Sequence, residues 1–153
     1  MLGVKGTKTV HRRLIGIAIT MALLVGGAFS GCGSDEPGGG PGVSILRVTE
    51  RDFKITAPKR VRAGNFDLLA RNRGPDDHEL IVVREGGTPL PFRTDGITID
   101  EDALESVQAG ALEPFGTATV GELHLHLTPG RYIMFCNMAG HYLGGMHTTL
   151  VVR

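Results

Sequence analysis

The stretch FCNMAGHYLGGMHTTLVV, residues 135–152, carries the residues that decide how this chain folds. Cys136, His141 and Met146 stand in it at equal spacing, with four residues between neighbours. Glycines lie between them, so the backbone can turn tightly enough to bring the three side chains to one point. A thiolate, an imidazole and a thioether are ligands for transition metals. The stretch therefore predicts a metal-binding loop between two strands.

A fourth ligand has to come from elsewhere in the chain, and His78 is the natural candidate. It lies where the loop RGPDD, 73–77, meets the apolar segment HELIVVR, 78–84. In a Greek-key sandwich that strand end can lie beside the loop between the last two strands. Two imidazoles, one thiolate and a weak thioether form the ligand set of blue copper sites. The candidate metal ligands are His78, Cys136, His141 and Met146.

Outside this stretch the sequence alternates between short apolar segments and turns. Seven or eight short strands separated by turn residues predict an all-β sandwich. Residues 85–99 are predicted to be irregular, and 99–108 to form the one helix, capped by Asp100. The predicted strands are VSILRV at 43–48, DFKIT at 52–56, FDLLARN at 66–72, HELIVVR at 78–84, TATVGELHLHL at 117–127 with a bulge at Gly121, RYIMFC at 131–136 and HTTLVVR at 147–153.

The C-terminal motif resembles the copper loop of the cupredoxins, the plastocyanin and azurin group. Its spacing is similar to that of the rusticyanin, auracyanin and sulfocyanin branches. The resemblance covers about residues 43–153 and implies a cupredoxin-like Greek-key β-sandwich with one type 1 copper ion. The matching residues are Tyr132-x-x-Phe135-Cys136-x4-His141-x4-Met146 and, upstream and in order, Asp52-Phe53, Ala63-Gly64, Asn72-x-Gly74 and His78-Glu79-Leu80.

Glu79 departs from the family pattern. Many cupredoxins have Asn or Ser after the first histidine ligand, where the side chain ties the two ligand loops together. The departure raises a question about the local hydrogen bonding. It leaves the predicted ligands unchanged.

The resemblance implies a carrier of single electrons rather than an enzyme. Its partners would be redox proteins such as a cytochrome or a terminal oxidase. An apolar docking patch is expected around His141. The alternative is a copper-binding or copper-delivery protein of the cell envelope, which the scattered methionines support poorly. A CuA centre would need a second cysteine in the loop. The residues of the expected docking patch are Met138, Ala139, Tyr142 and Leu143.

Three further histidines are not counted as ligands. His124 and His126 share one face of the predicted strand 117–127. A His-x-His pair can bind a metal, but a solvated strand face is the simpler interpretation. His147 would point away from the site if the last strand begins there.

The N-terminal part resembles a lipoprotein export signal. Residues 1–31 combine a basic start with the apolar run 14–29, which is short for a membrane span. The small residues before Cys32 resemble a lipobox, in which that cysteine is lipidated. Residues 32–42 would be a flexible Gly/Pro-rich linker and 43–153 the cupredoxin domain. We therefore expect an exported monomer, anchored to the cell membrane at its periplasmic or extracellular face.

Charge and cysteine content agree with this assignment. Four of the 16 basic residues lie in the first thirteen positions, which leaves 12 against 16 acidic residues. A mildly acidic domain is a poor candidate for binding nucleic acid. If Cys32 carries lipid, Cys136 is the one remaining thiol, and coordination to a metal would explain its presence in an oxidising compartment.

Overall fold

The computed structural model describes residues 42–153. The predicted signal peptide at 1–31, the lipidation site Cys32 and the linker up to residue 41 lie outside the described residues. Within the described part, no helix is long and apolar enough to cross a membrane. The described residues include the whole of the predicted domain 43–153, whose boundaries stay a prediction.

Nine strands and one short helix form the regular structure of residues 42–153. The helix, Asp102–Val107, is a 3-10 helix. The strands are β1 (Val43–Arg51), β2 (Lys54–Thr56), β3 (Arg60–Val61), β4 (Gly64–Asn72), β5 (His78–Arg84), β6 (Gln108–Phe115), β7 (Val120–Leu127), β8 (Gly130–Phe135) and β9 (His147–Val152).

The strands form two sheets that pack on a shared core. One sheet has the order β2-β1-β4-β7 and the other the order β3-β9-β8-β5-β6. β1 pairs with β4, and β3 with β9, in parallel, and the other pairs are antiparallel. The predicted all-β sandwich is confirmed. Because β5 and β8 are antiparallel neighbours, the start of β5 lies beside the end of β8.

Apolar cores lie on both faces of the second sheet. The larger core, between the sheets, includes Leu68 from β4 with Leu80 and Val82 from β5, all fully buried. Ile81 and Val83 of β5 belong to a smaller core on the other face. The residues that complete this smaller core are Leu90, Ile99, Leu104 and Phe135. Burial on both faces explains why the apolar run of β5 is unbroken.

The predicted helix over 99–108, with Asp100 as its cap, is wrong in extent. Only Asp102–Val107 is helical, and no side chain caps it. Ile99 is extended, since its backbone N–H donates to the side-chain oxygen of Asn137 and its carbonyl accepts from the same side chain. A helix that started at residue 99 would lose both hydrogen bonds.

Strand β6 is absent from the prediction because Gly110 and Pro114 interrupt its pattern. β6 is an edge strand of its sheet, and edge strands tolerate proline. Glycine at 110 gives room to β7, since a Cβ there would lie 2.7 Å from the end of the Leu125 side chain. Gly110 and Pro114 make this strand hard to recognise in the sequence, and the position of β6 in the sheet explains both of them.

The strand predicted over 117–127 begins only at Val120, and the predicted bulge at Gly121 is wrong. The pairing of β4 with β7 continues without a break through this glycine. A Cβ there would come within 3.0 Å of Leu112 in β6, so close packing explains the glycine. The irregularities of register lie instead between β5 and β6, one of them next to His78.

The strand predicted over 52–56 begins two residues late, at Lys54. Asp52 and Phe53 form the turn between β1 and β2, where the flanking residue Arg51 pairs with Lys54. Phe53 has a φ of 61°, which is unusual for a residue with a bulky side chain. This turn lies at the end of the sandwich that carries the predicted ligands.

Candidate metal centre

Three strand ends bring the predicted ligands to one end of the sandwich. His78 is the first residue of β5, and Cys136 follows directly after β8. Met146 directly precedes β9, and His141 lies between β8 and β9 in residues 136–146, here called the ligand loop. Because β5 and β9 both pair with β8, the three strand ends lie side by side.

The ligand atoms of His78, Cys136 and His141 all lie within 4.8 Å of one another. Cys136 Sγ is 3.5 Å from His141 Nδ1, and the two imidazole centroids are 5.2 Å apart. His141 is 8% exposed, whereas His78, Cys136 and Met146 are fully buried. The structure thus brings the predicted residues together. Their assignment as metal ligands stays a prediction.

Backbone hydrogen bonds close the ligand loop. The Cys136 N–H donates to the Met146 carbonyl at 3.1 Å, and the Met146 N–H donates to the His141 carbonyl at 2.9 Å. Gly140 and Gly145 have φ values of 79° and 96°, a region that glycine occupies at little cost. These two residues let the loop return to β9, as the glycine-rich sequence predicts.

His78 provides the observation that best fits a bound metal. Its Nδ1 is buried and has no hydrogen-bond partner. An unsatisfied buried group of this kind costs about 1–3 kcal/mol. Nε2 lies 3.3 Å from Asp52 Oδ1, although the two atoms are not aligned as a hydrogen bond. Burial, followed by the nearby His141, lowers the pKa of His78, which favours the neutral ring that donates a lone pair to a metal.

The Cys136 sulfur lies in surroundings that suit a cation. Burial raises the pKa of the thiol to about 11, so the metal-free form keeps its proton at neutral pH. The backbone N–H groups of Glu79 and Met138 donate to the sulfur and lower the pKa. They provide part of the stabilisation that a thiolate needs. A metal cation would supply the rest.

Glu79 connects the two segments that carry the ligands. Its carboxylate accepts a hydrogen bond from the backbone N–H of Asn137, the residue after Cys136. Burial raises the pKa of Glu79 to about 7, and Glu101 nearby also raises it. The departure from the family pattern therefore preserves a link between the ligand loops.

Asn72 fixes the loop that leads to His78, a role that the sequence analysis did not assign. The side chain is fully buried, and its oxygen accepts from the Gly74 N–H at 2.8 Å. Its nitrogen donates to the carbonyls of Asp76 and Phe115. The sequence signal was available, because an asparagine that bonds the backbone two residues ahead is typical of a turn before glycine.

Exposed apolar side chains gather around the ligand loop. Residues 42–153 contain five large apolar residues that are exposed, and four of them lie in the loop or contact it. The Phe53 ring packs on His141, the Phe92 ring packs on Tyr142, and the Ile97 carbonyl accepts from the Gly140 N–H. The four residues, here called the apolar rim, are Phe53, Phe92, Ile97 and Leu143.

The expected docking patch is present only in part. Leu143 is 56% exposed, and Ala139 is exposed as well. Met138 is half-buried against the larger core and Tyr142 against the smaller one. Three residues of the apolar rim lie outside the ligand loop and could not be identified from the sequence, because they are distant from the loop in the chain. They are Phe53, Phe92 and Ile97.

Within residues 42–153, the three histidines outside the candidate site lie as predicted on solvent-facing surfaces. His124 is 87% exposed, and its Nδ1 is 2.7 Å from Asp67 Oδ1. His126 Nδ1 is likewise 2.7 Å from Asn65 Oδ1 on the neighbouring strand. His147 is exposed at the start of β9 and lies outside the group of candidate ligands.

Comparison at the level of sequence finds nothing, since no protein-family model and no curated protein matches the chain. Solved structures do match. Auracyanin from Roseiflexus castenholzii has a TM-score of 0.54 at 16% identity, over 71% of this chain and 96% of that one. Auracyanin A from Chloroflexus aurantiacus, described as a "blue" copper protein, has a TM-score of 0.55 at 15% identity, over 73% of this chain and 100% of that one.

Rusticyanin from Thiobacillus ferrooxidans gives a similar result, with a TM-score of 0.56 at 12% identity, over 72% of this chain and 77% of that one. At such identities the similarity concerns the fold. The two-sheet sandwich and the position of the ligand loop agree with it. The resemblance predicted from the sequence is thus confirmed for the fold, and the described domain has the fold of the cupredoxins.

Proposed function

We propose that this chain is a type 1 (blue) copper protein that carries single electrons between protein redox partners at the outer face of the cytoplasmic membrane. The observation that carries the proposal is the buried group of His78, Cys136 and His141, in which His78 Nδ1 has no other partner. Met146 is buried and joined to His141 and Cys136 by backbone hydrogen bonds.

The side chains present fit copper. Imidazole, thiolate and thioether groups suit both of its oxidation states, and bound copper would supply a one-electron Cu(II)/Cu(I) couple. The contribution of the protein is to fix the positions of the candidate ligands. Hydrogen bonds within the ligand loop, the Glu79 link to Asn137 and the Asn72 contacts all restrict movement of the ligand-bearing segments.

Burial supports an electron carrier over a copper-delivery protein. Delivery needs an incoming ligand to reach the ion, whereas all four candidate ligands are at most 8% exposed. Electron transfer needs only a close approach to a ligand edge. His141 is the candidate ligand nearest to solvent, and the apolar rim beside the ligand loop offers a surface suited to a transient partner such as a cytochrome or a terminal oxidase.

The proposed location follows from the N-terminal sequence. Lipidation of Cys32 would hold the domain at the membrane on the linker 32–42. Confinement to one surface raises the effective concentration of partners that lie there.

The test is to add Cu(II) to the purified protein and to record its visible and EPR spectra. We expect an intense blue thiolate-to-copper band and a narrow copper hyperfine splitting. A pale protein with an ordinary copper EPR spectrum would contradict the proposal and favour a role in copper handling.

The Cys136→Ser variant tests the site directly. It should lose the blue band, because the charge transfer arises from the thiolate sulfur. His124→Ala is the matched control, since it removes an exposed histidine outside the group, and it should remain blue. A Cys136→Ser protein that stayed blue would refute the assignment.

A further inference from the structure

The turn between β1 and β2 contacts both histidines of the candidate metal centre. Asp52 Oδ1 lies 3.3 Å from His78 Nε2. The Phe53 ring meets the His141 ring edge to face, with centroids 5.5 Å apart and planes at 65°. Two adjacent residues of one turn thus each approach a different histidine ring.

The backbone of Phe53 is strained. Its φ of 61° lies in the left-handed region, where a bulky residue is a rare outlier. Such a conformation carries an energetic cost for any residue other than glycine. Burial of the ring does not offset this cost fully, because the residue remains 52% exposed. Strain that persists beside a binding site points to a function for the residue that bears it.

The ligand loop is shaped to receive the Phe53 ring. A Cβ at residue 144 would overlap Cγ, Cδ1 and Cε1 of that ring. Gly144 does not have the positive φ of Gly140 and Gly145. Its missing side chain therefore serves the close approach of Phe53, whereas the other two glycines serve the turn of the backbone.

We propose that Phe53 is a positioning residue that closes the solvent side of the metal centre. Its ring holds the His141 imidazole and keeps water and small anions away from the metal. Phe53, which is 52% exposed, packs its ring against the imidazole of His141, which is only 8% exposed. Electrons can still cross at this edge, while exchange of ligands at the metal is blocked. The role at the metal rests on the proposed function.

The first test uses the full-length, metal-free protein and so does not depend on copper. Diethyl pyrocarbonate modifies accessible histidines, and peptide mass spectrometry gives the rate at each one. Phe53→Ala should raise the rate at His141 about tenfold, the equivalent of a lost aromatic pair. His124, 87% exposed, reports the activity of the reagent, and the buried His78 reports unfolding.

Gly144→Ala is the second variant, because it displaces the ring without changing Phe53. It should also raise modification of His141 while His78 stays protected. If Phe53→Ala exposes His78 as well, either the turn next to Asp52 has opened or the variant has unfolded, and Gly144→Ala decides the question. An unchanged rate at His141 in the folded variants would overturn the proposal.

The second test uses copper-loaded protein and azide as the small anion. The wild type should keep its narrow hyperfine splitting at azide concentrations that convert Phe53→Ala to an ordinary copper spectrum, a gain in azide affinity of about tenfold. Val120→Ala, which removes an exposed apolar side chain outside the apolar rim, should behave like the wild type. Equal azide sensitivity in all three proteins would overturn the shielding role. A wild type that is not blue would instead contradict the proposed function, and the pyrocarbonate result would still decide whether Phe53 covers His141.

Discussion

At the scale of single residues, the metal centre depends on groups that support the candidate ligands. Glu79 joins β5, which begins with His78, to the ligand loop through the Asn137 N–H. The Cys136 N–H is bonded in turn to the Met146 carbonyl. Supporting hydrogen bonds of this kind typically change metal affinity by about 10- to 100-fold when they are removed.

Glu79→Ala should therefore lower copper affinity by about 10- to 100-fold, because the Asn137 N–H loses its acceptor. Competition with a chromogenic chelator measures the change. Glu79→Gln is the matched control, since its amide oxygen can still accept the hydrogen bond. An equal loss of affinity in both variants would show that the hydrogen bond is not the cause.

Met146→Gln should lower the reduction potential while copper stays bound. A thioether is a soft ligand that favours Cu(I), whereas an amide oxygen is a harder ligand that favours Cu(II). A spectroscopic redox titration gives the potential. Met138→Leu serves as the control, because Met138 is half-buried on the core and is not a predicted ligand. If the potential of Met146→Gln matches that of the wild type, Met146 is not the axial ligand.

At the scale of elements, the ligand loop is a closed unit whose shape depends on glycine. Hydrogen bonds join its first residue to its last, and Gly140 and Gly145 supply the positive φ angles. The conformation of the loop is therefore defined by its own backbone hydrogen bonds and glycines. Its geometry can be tested in the metal-free protein.

Gly145→Ala should lower the free energy of unfolding by about 1–2 kcal/mol, because alanine is strained at a φ of 96°. Urea unfolding of the metal-free protein measures the change. Gly86→Ala is the control, since Gly86 has no positive φ and a Cβ there would meet no atom within 4 Å. A similar result for the two substitutions would mean that the loop adjusts its backbone freely.

The sequence predicts this part of the molecule well where the signal is local. His141 and Met146 follow Cys136 at short, fixed intervals, and the apolar run of β5 is clear at its first residue, His78. The prediction fails where the residue type at a position depends on a contact with a residue that is distant in the chain. Gly110 makes β6 hard to recognise in the sequence, and its close contact with a leucine of β7 leaves no local pattern.

The same reason explains why Phe53 and Asn137 were not assigned roles. Phe53 approaches His141 from a turn that precedes it by many residues. Asn137 holds Ile99 in an extended conformation, so the helix cannot begin at residue 99 as predicted. In both cases the partner is distant in the chain, and the sequence shows only an aromatic residue in a predicted strand and a polar residue in a predicted loop.

At the scale of the whole molecule, the metal centre is continuous with the larger core, which includes Cys136 and Met146. Glu50 of β1 lies in the same interior. It is fully buried, and neither of its carboxylate oxygens has a hydrogen-bond partner. Burial, followed by repulsion from Glu79, raises the pKa of Glu50 to about 8. The folded domain therefore carries a carboxyl group that is protonated at neutral pH.

This group should make the domain less stable as the pH rises. Between the ordinary pKa of 4.5 and the folded value of about 8, the folded state holds a proton that the unfolded state has released. Stability therefore falls through this window and levels off on either side. From pH 4.5 to pH 7 the contribution is on the order of 3 kcal/mol.

Glu50→Gln removes the titrating group while it keeps the shape of the side chain. Urea unfolding of the metal-free wild type and variant, measured from pH 4.5 to pH 8.5, should give curves that diverge, with the variant relatively more stable at the higher pH. Groups that do not interact with Glu50 act on both proteins alike, so the difference between the curves reports Glu50 together with its repulsion from Glu79. A constant difference across the whole range would show that Glu50 has an ordinary pKa in the folded domain, and that the interior beside the metal centre admits water to its carboxylate.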